Sequence, residues 1–124
     1  MLTITSNTYV AGTSDEHALQ VTANGEVRDV AICGRGSKCN KCSVDYFTLD
    51  IERFGFSTSC VRKEDIEALK LKEDGGNGWL VQSIFVFIDT CETHELASSD
   101  ATFNKWVDAD SDPEKVLVDL TLVL

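Results

Sequence analysis

Apolar and polar residues alternate one by one along much of this chain, and that period of two constrains the fold more than any other feature. In "HALQVTA" Leu19 and Val21 share one side, opposite Gln20 and Thr22; in "VDYFTLDI" Phe47, Leu49 and Ile51 oppose Tyr46, Thr48 and Asp50. Successive side chains of a β-strand point to opposite faces, so each pattern predicts a strand with one buried face. "LTIT" near the start, "VRDVAIC" after the "ANGE" turn and "VLVDLTLVL" at the end read alike, the last with Val116, Val118, Leu120 and Leu122 in one row. "WLVQSIFVFID" is apolar in both phases, which suits a central strand covered on each side. "RKEDIEALKLKED" is rich in helix formers, while Leu69 to Lys72 alternate as a strand would, so pattern alone leaves it open. Short strands, turn signals roughly every ten residues and at most one short helix predict an all-β fold, an antiparallel β-sandwich.

At 124 residues the chain fits one domain, 1–124, with a core of its own. Eleven basic against 21 acidic residues give a net charge of −10, which repels phosphate backbones and anionic headgroups. Nucleic acid is therefore not an expected partner, and a membrane surface requires a bridging cation. No apolar stretch reaches the length of a membrane span, and "MLTITSNTYV" lacks a signal core. That leaves a cytosolic protein or a mature secreted form with Met1 as the start residue. Five cysteines, Cys33, Cys39, Cys42, Cys60 and Cys91, favour the secreted, disulfide-bonded alternative.

Two acidic loops combine small residues with oxygen donors: "AGTSDEH" after the first strand and "KEDGGNG" before the central one. Calcium takes carboxylate, amide and carbonyl oxygens, and glycines let a loop turn its carbonyls to one point. Asp15, Glu16, Glu73, Asp74 and Asn77 supply that chemistry, against the plainer alternative that Gly, Asp and Asn simply make turns. No linear calcium motif is present, so a site has to form across both loops. "DADSDPE" lacks the glycine and closing glutamate of an EF-hand and reads as a solvated turn.

"CGRGSKCNKC" holds a single CxxC without the second pair of ligands that zinc needs, so disulfides are the expectation. Five cysteines cannot all pair, and the odd thiol is available for a disulfide-linked dimer. Cys91 and His94 in "CETH" lack any evident orienting group or oxyanion site, so no enzyme activity is expected. Phe54 and Phe56 flank Gly55 in "ERFGFS" and have two readings: a membrane contact beside a cation site, or core packing.

These landmarks together resemble the PLAT, or lipoxygenase-homology, domain. "YVAGTSDEHALQV" is similar to that family's strand, A-G-T-D loop and strand, with Ala11, Gly12 and Thr13 in place and Asp15 displaced by Ser14. "EDIEALKLKEDGGNGWLVQSIFVFID" follows the family order of strand, Asp/Asn/Gly loop, Gly-Trp and hydrophobic strand, and "FNKWVDADSD" is similar to its closing fragment without the usual cysteine. The resemblance covers nearly the whole chain and implies an eight-stranded sandwich in which the ambiguous segment "RKEDIEALKLKED" is a strand. It also implies lipid or protein contacts and, in some members, calcium held between the two loops. Carried over by position, it points to Asp15 with the Gly12 or Thr13 carbonyls, and to Asp74 and Asn77, with Glu73 where many members have histidine. The expected function is a non-enzymatic module that binds a membrane lipid or a protein partner, with calcium as its ligand. The alternative is a secreted venom or defence effector that binds a protein without calcium.

Overall fold

The computed structural model describes residues 1–5, 17–33, 39, 42–47, 50–58, 60–73, 78–89, 94–107 and 117–122. The alternating segments are strands: β1 Leu2–Thr5, β2 His17–Ala23, β3 Glu26–Cys33, β4 Val44–Tyr46, β5 Ile66–Glu73, β6 Trp79–Asp89, β7 His94–Asp100, β8 Lys105–Val107 and β9 Leu117–Leu120. They form two antiparallel sheets, β4-β1-β6-β7 with β8 also on β6, and β3-β2-β5-β9. Strands β7 and β8 lie end to end along the edge of β6 opposite β1. The nine described strands thus occupy the eight positions expected. The break between β7 and β8 is stitched to β6: Ser83 Oγ donates to the Ala101 carbonyl (2.6 Å) and Asn104 N–H to that of Gln82 (3.2 Å).

Alternation decides what is buried. Leu19, Val21, Leu69 and Leu71 from one sheet and Trp79, Val81, Ile84 and Val86 from the other are at most 1 % exposed and belong to one core cluster. Each such side chain contributes about 1.5–3 kcal/mol by leaving water. The hairpin joining β2 to β3 turns on Asn24 and Gly25, whose φ values of 51° and 77° are both positive. A two-residue turn of that kind matches the twist of the strands it joins.

Three segments refine the sequence expectations. The ambiguous one contains a 3-10 turn, Lys63–Asp65, and then strand β5. Only the extended form sends Leu69 and Leu71 inward together, and that burial outweighs helix propensity. In "VDYFTLDI" the strand ends at Tyr46, and Ile51 sits on a 3-10 turn, Ile51–Phe54. Asp50 Oδ1 accepts the Glu52 N–H (3.0 Å), and Gly55 at φ 72° ends the turn. Phe47 and Ile51 remain buried, at 9 % and 5 % exposure. In β6 the pairing with β1 skips Gln82 between Val81 and Ser83, a bulge that moves the inward phase from Val81 to Ile84. Leu80, Phe85 and Phe87 therefore point outward, half-buried.

Candidate functional site

Pairing registers bring the loop-bearing strand ends to one end of the sandwich. His17, opening β2, lies opposite both Glu73, closing β5, and Cys33, closing β3. Trp79, opening β6, lies opposite Val107, closing β8, and its Nε1–H donates to Oγ1 of Thr5, closing β1 (2.9 Å). Segments 6–16, 74–77 and 108–116 thus all leave from and return to this end. Gly12, Thr13, Asp15, Asp74 and Asn77 fall in the first two segments and lie outside the described residues. The acidic turn Asp108–Glu114 falls in the third.

The floor beneath these segments is a buried polar cluster. Thr5, His17 and Trp79 are fully buried and Glu73 is 3 % exposed. His17 Nε2 lies 3.3 Å from the Val107 carbonyl oxygen. A carbonyl only accepts, so this nitrogen carries the proton in that bond. The imidazole meets the Trp79 indole edge-on, with ring centroids 5.4 Å apart. In the sequence His17 and Glu73 fall where a strand pattern and an acidic loop overlap; both belong to strands. The signal was present in their phase, because His17 is in step with Leu19 and Val21, and Glu73 with Leu69 and Leu71.

Among the described residues no group of three or more His, Cys, Asp or Glu side chains could hold a metal. A cation site at this end would need donors from the loops, and those the sequence offers beside Glu73 are Asp15, Asp74, Asn77 and the carbonyls of Gly12 and Thr13. That set is all oxygen, which fits calcium and not a soft-ligand metal.

The cysteine-rich segment reaches the same end. Cys33 is bonded to Cys39, with 6.0 Å between their Cα atoms, and Cys60 is disulfide-bonded as well. Cys42 is an exposed thiol, and Cys91 lies outside the described residues. With Cys33 and Cys39 in a bridge, neither offers the thiolate that zinc requires. Asp45 anchors the bridge by accepting the Cys39 N–H (2.7 Å) and the Ser43 hydroxyl (2.6 Å).

Phe54 and Phe56 do not join this end. Phe54 is 4 % exposed, and Phe56 packs against the core with the two rings stacked 6.2 Å apart. Their segment is tied to the β2–β3 turn, where the Ser57 N–H and hydroxyl donate to Glu26 and the Asn24 amide to Thr58. The length of β2, about 20 Å at 3.3 Å per residue, separates them from the acidic loops. The idea of aromatics flanking a cation site is thereby corrected: "ERFGFS" is a capped turn whose rings face the core. Hydrogen bonds from Ser57 also hold the Glu26 carboxyl below its ordinary value. His94 is exposed, paired with Asp89 through Nδ1 and stacked on Phe87.

No protein-family model and no curated protein sequence matches the chain. Its fold is similar to part of a solved structure, the alpha toxin from Clostridium absonum. The TM-score is 0.65 at 14% identity, over 86% of this chain and 27% of the toxin. The chain thus spans about a quarter of the toxin's length, and the likeness is one of fold. By architecture the chain is an antiparallel β-sandwich of two sheets, with a disulfide between Cys33 and Cys39.

Proposed function

We propose that this chain is a PLAT-family binding module, secreted and non-enzymatic, whose loop end contacts a lipid surface or a protein with the help of calcium. The observation that supports the proposal is the convergence of strand ends: Thr5, His17, Glu73 and Trp79, the described residues nearest the two acidic loops, meet at one end of the sandwich and are buried. Calcium would supply positive charge where the chain has little. Asp15, Glu73, Asp74 and Asn77 offer side-chain oxygens, and Gly12 and Thr13 offer carbonyls, as a hard cation requires. Neutralising these carboxylates removes the local repulsion between a chain of net charge −10 and anionic headgroups. The Cys33–Cys39 bridge supports an oxidising compartment. Co-sedimentation with vesicles of phosphatidylserine and phosphatidylcholine at physiological salt tests the lipid version. Binding with calcium and none with a chelator is expected. Absence of binding in both removes lipid as the partner and leaves a protein-binding effector.

A further inference from the structure

At the end of the sandwich opposite the acidic loops, the segment between β4 and β5 shapes a hollow. Gly55, at φ 72°, ends the 3-10 turn Ile51–Phe54, and the chain returns so that Phe56 and Val61 come back beside Ile51. These three apolar side chains, with the exposed Glu52 and Thr58 at the rim, line a space of about 200 Å³ that opens to solvent. Thr58 is shared with a wider, polar hollow of about 510 Å³, whose walls include Arg62, Glu64 and Asp65. Hydrogen bonds pin the walls: the Ser57 N–H donates to Glu26 (3.1 Å) and the Arg62 N–H to Asp65 (3.0 Å). Among the described residues neither the Glu52 nor the Glu64 carboxylate forms an ion pair. The two linings thus set the carboxylates of Glu52, Glu64 and Asp65 against the guanidinium of Arg62, while Arg53 and Lys63 line neither hollow. The stretches next to these elements in sequence, 48–49, 59 and 90–93, contain no Lys or Arg.

We propose that the smaller hollow binds a small organic ammonium ion, its carbon groups against Ile51, Phe56 and Val61 and its charge facing Glu52. Apolar walls with a few placed polar groups are the usual make-up of a small-ligand site. A wholly apolar ligand takes water from Glu52 and gives no partner in return, and an anion is repelled by it. A cation clothed in carbon satisfies both parts of the lining, and the Phe56 ring adds the attraction of an aromatic face for an ammonium. At about 30 Å³ for each non-hydrogen atom, the share of a water molecule in the liquid, the space takes roughly seven such atoms, the size of the choline ion. The ligand is a free amine and not a zwitterionic lipid headgroup. A phosphate beside the ammonium would enter the wider hollow, where Glu64 and Asp65 outnumber Arg62. The site stands apart from the loop end and does not depend on calcium there.

Titration of the isotopically labelled chain with choline chloride, followed by amide NMR against sodium chloride at equal ionic strength, tests the proposal. Saturable shifts centred on residues 51–61 are expected, with a Kd of about 1 mM. Glu52→Gln keeps the shape of the side chain and removes its charge, so binding weakens about tenfold with the melting temperature unchanged. Asp74→Asn, at the other end, leaves binding unaltered. Dimethylbutanol, the uncharged carbon isostere of choline, binds several-fold more weakly, and so does phosphocholine. Wild type without saturable shifts to about 10 mM, tenfold beyond the expected Kd, overturns the proposal. So does an isostere that binds as well as choline, a Glu52→Gln variant that binds as well as wild type, or phosphocholine that binds more tightly than choline.

Discussion

The two outward faces arise from the same alternation and end as opposite surfaces. The face carrying Lys70, Lys72, Asp29 and Asp119 is laced with ion pairs; the face carrying Val44, Tyr46, Leu2 and Phe85 is apolar. Isolated apolar residues also occur on the charged side, Val27 at 49 % and Leu117 at 37 % exposure, as on most soluble proteins. The difference lies in contiguity: on β4, β1 and β6 the apolar positions fall in adjacent registers. Period two determines which row enters the core, while the opposite row is free to differ between the sheets.

Stability measurements sharpen this contrast. Trp79→Ala removes the inward anchor of β6 and lowers the unfolding free energy by about 3–5 kcal/mol in denaturant titration. Phe85→Ala, outward on the same strand, costs about 1 kcal/mol. Equal losses would mean that the outward face belongs to the folding core. Thr5→Val leaves the buried indole N–H of Trp79 without its acceptor and costs about 1–3 kcal/mol, between those two. On the charged face Lys72→Ala costs no more than about 1 kcal/mol, and most of the loss disappears in molar salt, because the pair is partly exposed and screened.

The smallest effect concerns pH. Ser57 hydrogen bonds lower the Glu26 carboxyl pKa, so the folded state favours its ionised form. Its contribution is complete above the ordinary value of 4.5 and is lost as pH falls through the lowered one. Ser57→Ala is therefore expected to melt like wild type in strong acid and slightly below it at neutral pH. A difference that grew toward acid would contradict this assignment.

Strand positions and the sandwich were legible because burial follows phase. Leu19, Val21, Leu69, Leu71 and the row of β6 each declare themselves within a few residues. The end of β4 was not legible, since the Asp50 cap and Gly55 turn depend on tertiary placement of Ile51 and Phe54. At the candidate site, sequence supplied the acidic loops but not the floor. His17 and Glu73 sit where strand pattern meets acidic loop, and only the registers put them opposite each other beside Trp79. Phe54 and Phe56 misled because adjacency in sequence says nothing about which end of a strand a turn occupies. The bulge at Gln82 also hid the outward face, because it lets one apolar run serve two phases.

Calcium binding at the loop end is the central claim, and calorimetric titration of the purified chain with calcium tests it most directly. A saturable heat, a rise in melting temperature with calcium, and loss of both in Asp74→Asn with the fold intact are the predicted results. No heat and no thermal shift in the wild-type chain would contradict the claim.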